Sequence, residues 1–391
     1  MKKILFSPHL NFLRMIKQHF SDKEKYLILG IQEHFIKSLQ DVDIENVETF
    51  IGNDVLQSQA YDYAAQIIKQ KKKLPSKYKD NDVFQEFLDK LDSLAYRRLY
   101  ELIIFLLLLD EKKPDIVVLH NDVEPFMRLI ALWARANNVP CLQVPHSIII
   151  DSSEKSPVGS DIHDIIISSD VVVGGDYQKD WYVQRGLQED NIYQTGLPQF
   201  DEISVEQHDR DRAVRLLRLD VNEPVVTYAS SWRQDTNLLG CHDGVEQTYI
   251  NFLKASKKLG IRPIVKIHPN SSQNSIDWHT MTAKKIGIYA ILVARHLHTV
   301  LQASNLLFSF GPSNILLEGS FFPMHLVVTH GYDDDDVVTK VGEEATDDEI
   351  AETISGLLGS PADDPLQFRH KYIGVADGKA GNRVAKVIEE L

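Results

Sequence analysis

Residues 114–147 read PDIVVLHNDVEPFMRLIALWARANNVPCLQVPHS. Ile116–Leu119 is a short, largely β-branched run between a proline and the polar trio His120-Asn121-Asp122, the pattern of a buried strand. Residues 124–138 carry apolar side chains at helical spacing, and residues 140–147 form a second apolar run that ends in Pro145-His146. Strand, helix, strand over roughly 30 residues is a βαβ unit, in which two parallel strands lie side by side under a crossover helix.

The alternation continues both ways along the chain. Before it, 2–7, 25–30 and 47–52 read as strands, while 54–110 has mixed helical periodicity. After it, 164–169 and 171–175 read as strands and 178–186 as a helix ended by Gly186. The pattern restarts near residue 200, where 204–212 is a hinge or the first helix after it. Strands follow at 223–231, 262–269, 289–294, 305–310 and 324–330, and a helix at 244–260 closes on Gly260. The fold class is therefore α/β, with two Rossmann-like halves: 1–200, 201–375 and a closing helix at 376–391. Such halves direct the carboxyl ends of their strands into a cleft between them.

Composition narrows the function. The 391 residues carry a net charge of −14, which disfavours nucleic acid as a partner. The basic run Lys69–Lys79 is the local exception, a solvated helix end or a point of peripheral membrane contact. Cys141 and Cys241 stand in no metal-ligand spacing, and two cysteines in so long a chain suit a reducing compartment. The apolar run Leu102–Leu109 falls short of the about 20 residues that cross a bilayer, and the start MKKILFSPHL is too short in apolar residues for a signal peptide. A cytoplasmic protein is expected.

Polar groups gather at the strand ends. In the second half, 305–319 (NLLFSFGPSNILLEG) runs from a strand through Gly311-Pro312-Ser313-Asn314 into a helix bearing Glu318. Backbone N–H groups at such a turn suit phosphate, and Glu318 is placed to accept from ribose hydroxyls. Lys266 and His268 share a face at the end of another strand, and Ser231 and Arg233 close a third. In the first half, Asp122 and His146 end adjacent strands and either suits general-base work on a hydroxyl; His9 and Asn11 end the first strand. A metal site is not expected: DVD (41–43) and DDDD (333–336) read as a polar loop and a solvated turn.

The segments VPHSI (144–148), 171–203 with its TGLPQFD (195–201), VTYASSWR (226–233), VKIHP (265–269), 304–319 and DGKAGNRVAKVIEEL (377–391) occur in an order that resembles GT-B-fold transferases of bacterial surface polysaccharides. That broad group holds capsule-linked sugar transferases and the CDP-glycerol glycerophosphotransferases of teichoic acid synthesis. The resemblance covers roughly 114–391. It implies an acceptor-side base at His146, donor-phosphate contacts from His268, Ser313 and Asn314, and a ribose carboxylate at Glu318. It also implies a nucleotide-activated donor of CMP, CDP or UDP type, a glycan or lipid-linked acceptor, and no further cofactor. Two positions depart: Ser147 replaces the glycine usual after the histidine, and Gly311-Pro312 stands where the glycerophosphotransferases often have Asp-Tyr. Both favour a sugar donor over glycerol phosphate. Residues 112–146 also resemble NDP-sugar 2-epimerases, although the His-Arg-rich segment of those enzymes is replaced by ASSWRQD (229–235). Isomerase, or a non-catalytic nucleotide-sugar-binding subunit, are the alternatives.

Overall fold

Both halves fold as parallel sheets in the computed structural model, which describes residues 2–6, 16, 19, 26–30, 47–49, 103, 106–122, 125–145, 166–230, 243–269, 271–332 and 335–391. The first sheet is built from β1 (Lys2–Phe6), β2 (Tyr26–Gly30), β3 (Val47–Thr49), β4 (Ile116–Leu119), β5 (Cys141–Gln143), β6 (Asp170–Val173) and β7 (Ile192–Gln194), in the order β3-β2-β1-β4-β5-β6-β7. The second holds β8 (Val226–Ala229), β9 (Ile264–Lys266), β10 (Ile291–Val293), β11 (Leu306–Ser309), β12 (His325–Val328) and β13 (Val338–Lys340), in the order β10-β9-β8-β11-β12-β13. Every pairing is parallel. All residues of β4, β6, β8 and β11 are buried, as parallel strands covered on both faces must be.

The helices are α1 (Pro125–Ala136), α2 (Asp176–Gln184), α3 (Asp201–Ser204), α4 (Arg210–Leu216), α5 (Asp243–Lys258), α6 (Gln273–Ile286), α7 (Leu297–Ala303), α8 (Asn314–Gly319), α9 (Asp347–Leu358), α10 (Leu366–Tyr372) and α11 (Ala380–Glu390). The βαβ unit stands where it was expected, with Val117 opposite Cys141 and Leu119 opposite Gln143 across β4 and β5. Gly186 and Gly260 lie past the ends of α2 and α5 with φ of 87° and 67°, the left-handed geometry that stops a helix. Among the described residues no helix is long and apolar enough to cross a membrane. The basic run 69–79 and the stretch 54–100 lie outside the described residues.

Two expectations fail for tertiary reasons. Residues 166–169 are not a strand, because Asp122 Oδ2 accepts from the backbone N–H groups of Ile167 (2.7 Å) and Ser168 (3.0 Å). Those donors would otherwise serve a sheet ladder, so β6 starts only at Asp170. Nor is 333–336 simply a solvated turn: Asp335 accepts from the Tyr372 hydroxyl and from Lys371 Nζ, tying the loop after β12 to α10.

The chain passes between sheets through TGLPQFD and returns. Asp201, at the start of α3, accepts from the first backbone N–H groups of α11, with Ala380 N at 2.9 Å and Gly381 N at 2.7 Å. Arg383 on α11 donates to Thr195 O at 2.6 Å, and Val384, Ala385, Val387 and Ile388 pack under β1 and β4 with Ile4, Phe6, Ile116 and Val118. The last helix thus belongs to the core of the first sheet. Beside it, α10 bridges the sheets: Gly175 N, after β6, donates to Tyr372 O, and the Tyr372 ring contacts Tyr177 on one side and Tyr332, after β12, on the other. A Cβ on Gly175 would lie 2.2 Å from Lys371 O, so only glycine permits that approach. The carboxyl ends of β6 and β12 are thus held against one helix. Asp201→Ala should lower stability by about 1–2 kcal/mol, the usual cost of a lost helix cap, read from the urea midpoint; an unchanged midpoint would show that the contact is dispensable.

Candidate functional site

Each sheet reverses its strand order once, between β1 and β4 and between β8 and β11. Ligands of open α/β sheets bind outside the carboxyl ends at such a reversal. At the second reversal stand Ser230, after β8, and Gly311-Pro312-Ser313, after β11. At the first stands Asp122, after β4. His9, Asn11, His146, Ser231 and Arg233 lie outside the described residues.

The turn after β11 is shaped by its neighbours. Gly311 has φ 73°, and a Cβ there would lie 2.5 Å from the His330 ring. Pro312 occupies the space where a Cβ on Gly331 would sit, at 2.4 Å. His330 is held by Thr329 Oγ1 at 2.9 Å and Glu343 Oε1 at 3.1 Å from its Nδ1, with Phe310 edge-on to its ring. Burial pushes the Tyr332 hydroxyl well above its ordinary range. The segment 330–332 therefore acts as a mould for the turn. Sequence reading passed over His330 and Tyr332; the positive φ shared by Gly331 and Tyr332 is a property of the folded backbone, with only the glycine visible beforehand.

Ser313 is the N-cap of α8, yet its side chain makes no capping bond. A plain serine cap is therefore not its role here. Helix α8 has six residues, so its dipole is small and the backbone N–H groups of the turn matter more than the helix behind them. Glu318 lies on α8 and is half-buried. Desolvation pushes that carboxyl up to about 7, against the pull of the Lys266 ammonium. Lys266 is buried at the end of β9 and donates to Ile267 O (2.8 Å) and Ala294 O (3.2 Å). Burial lowers its pKa and Glu318 raises it in turn. Its protons are thus directed at carbonyls, and its charge reaches the site mainly through Glu318. His268 is set by its own backbone: its N–H donates to Ser230 Oγ at 2.9 Å, and Ser230 N donates to Lys266 O. Lys266, His268, Gly311, Ser313, Asn314 and Glu318 therefore belong to the carboxyl edge of one sheet.

On the other side, Asp122 is buried, and its Oδ2 receives Ser168 Oγ (3.2 Å) besides the two backbone donors. The carboxylate holds the entry to β6, a structural task that competes with proton transfer. Cys141 is buried beneath it, its thiol pushed up to about 12 by desolvation, and is no nucleophile. Among the described residues no group of three His, Cys, Asp or Glu side chains could hold a metal.

Residues 154–309 match the family model of CDP-glycerol:poly(glycerophosphate) glycerophosphotransferase. The structure superposes on Staphylococcus aureus MnaA solved with UDP (13% identity, TM-score 0.60, 100% of this chain and 96% of that one). It also superposes on the UDP-GlcNAc 2-epimerase of Neisseria meningitidis bound to UDP-GlcNAc (13%, 0.57, 100% of both) and on a glycosyltransferase from Rickettsia africae ESF-5 (13%, 0.53, 100% and 97%). The fold is GT-B-like. Family model and fold both agree with the resemblance to GT-B transferases of surface polysaccharides. No protein of curated function matches the sequence.

Two outcomes test this geometry. Gly311→Ala should cost about 1–3 kcal/mol, from the left-handed φ and the contact with His330. Adding His330→Ala should recover the contact but not the dihedral cost; a neutral Gly311→Ala would contradict the moulded turn. Glu318 has a raised folded-state pKa, so its neutral form is the one folding favours. Its contribution to stability is full below its unfolded pKa and is lost as pH rises through about 7. Glu318→Gln should therefore gain stability relative to wild type between about pH 5 and about pH 8; parallel urea midpoints would count against the burial of this carboxyl.

Proposed function

We propose that the protein is a metal-independent glycosyltransferase of the cytoplasm that moves a sugar from a nucleotide-activated donor to a hydroxyl of a surface glycan or its precursor. The observation that carries this reading is the moulded turn at the second sheet's reversal, with a perturbed carboxyl one helical turn beyond it and the first sheet's reversal across the crevice. The diphosphate would accept hydrogen bonds from the turn's N–H groups and from Ser313 and His268, with Arg233 and Ser231 adding donors. Glu318 would accept from the ribose hydroxyls. In the transfer, the acceptor oxygen attacks the anomeric carbon and the carbon–oxygen bond to the diphosphate breaks. Its electron pair leaves on the phosphate oxygen, where fixed donors stabilise the charge. The acceptor proton passes to His146. We prefer His146 to Asp122 as that base because three donors already converge on one oxygen of Asp122.

The choice of a sugar over glycerol phosphate rests on the sequence, where Ser147 and Gly311-Pro312 depart from the glycerophosphotransferase pattern. The experiment is a screen of nucleotide sugars and CDP-glycerol with glycan acceptors, following free nucleotide. Release that needs an acceptor, and falls by about 100-fold or more in His146→Ala, is expected of a lost general base. Interconversion of a free nucleotide sugar without acceptor would replace this reading with an epimerase. Donor affinity should rise with pH through about 7 as Glu318 ionises, and Glu318→Gln should flatten that rise.

A further inference from the structure

The outer face of the second domain carries a cationic trough with an aromatic floor. A concavity of about 790 Å³ lies between α5, α6 and α9, with Ile250, Trp278 and Ile286 below and Lys254, Lys257 and Lys285 on its walls. A second, of about 420 Å³, shares Trp278, Thr282 and Lys285 and continues past Met281, which is 69% exposed. The floor is rigid: the Trp278 ring packs on Tyr249 at 5.4 Å and on His279 at 5.0 Å.

The lysines divide by role. Lys258 pairs with Asp347 and Asp348 at 2.5 and 2.6 Å, and Lys257 donates to Ile286 O, which closes α6. Lys254 and Lys285 are exposed; Lys254 acts on Asp347 only through space, after Lys258, and neither lysine makes a close ion pair among the described residues. Glu246, Asp347 and Asp277 also line the two concavities, but Asp347 is engaged by Lys258, which holds its carboxyl below the usual range, and Asp277 accepts from Gln273 Nε2 at 2.8 Å. A local positive field of this kind stands out on a chain of net charge −14.

We propose that this trough binds an anionic glycan, the growing acceptor chain, away from the cleft where transfer takes place. The identity of the occupant as acceptor rests on the proposed transferase function. Its anionic character rests on Lys254 and Lys285, and its glycan character on a fixed, half-exposed indole suited to the apolar face of a sugar ring. Helix α5 has 16 residues, and Gly244 near its start lies close to Phe310 beside the phosphate turn. At 1.5 Å per residue, Lys254–Lys258 stand about 16–22 Å along it. An acceptor must therefore be several sugars long to reach both places.

Binding is tested by fluorescence titration with hyaluronan, polysialic acid and poly(glycerol phosphate), with dextran as the neutral control and anionic phospholipid vesicles as the membrane control. Wild type should bind at least one acidic polymer and not dextran. K254E/K285E, at two exposed positions, should melt as wild type does and lose roughly tenfold or more in affinity. Equal affinity in the variant, no acidic polymer bound, equal binding of dextran, or binding of vesicles alone would each overturn the proposal. Direct binding separates the two readings: if no donor supports transfer while the trough binds polymer, only the acceptor role falls. If transfer is found, K254E/K285E should raise the KM for long acceptors and leave short acceptors and kcat unchanged.

Discussion

The carboxylate of Asp201 takes up the first two backbone N–H groups of α11, and much of the molecule's arrangement depends on that contact. A helix start leaves unpaired donors and a partial positive charge, and a carboxylate from another part of the chain answers both. Because Asp201 lies just past the crossing between the sheets, capping α11 there ties the chain's end to its middle. The apolar face of α11 then completes the core under β1 and β4, and α10 is left between the carboxyl ends of β6 and β12.

Within the crevice, the second sheet holds its polar groups by packing more than by charge. The His330 ring packs against Gly311 and Pro312 against Gly331, so the loop after β12 shapes the turn after β11. Lys266 stands behind Glu318 with its own protons given to carbonyls, and a carboxyl so placed gains or loses its proton near neutrality. Perturbed groups of this kind cluster at functional sites.

Much of this was legible from side-chain patterning. Buried parallel strands are short unbroken apolar runs, so β4, β5, β8, β9, β11 and β12 could be placed to within a few residues, and Gly186 and Gly260 marked their helix ends. The edge strands β7 and β13 were not, since IYQ and VTK each hold three residues, of which one is buried. What the sequence hid depends on distant partners. Ile167 and Ser168 have strand-like surroundings but give their N–H groups to Asp122, 45 and 46 residues earlier. Asp335 looks like part of a solvated acidic run until Tyr372 and Lys371 meet it. Lys266 and His268 were found as strand-end polar residues and Glu318 on the helix beyond the turn, but the coulombic coupling of Lys266 with Glu318 needs the fold. His146, Ser231, Arg233, His9 and Asn11 stand on the sequence alone.

Amide hydrogen exchange with and without a nucleoside diphosphate tests the central claim most directly, since it reads the backbone groups assigned to the phosphates. Addition of UDP or CDP should slow exchange across 311–318 and around His268, and leave the trough-lining stretches 250–258 and 276–286 unchanged. Protection confined to the first domain, or none with any nucleoside diphosphate, would contradict a nucleotide site at the turn after β11.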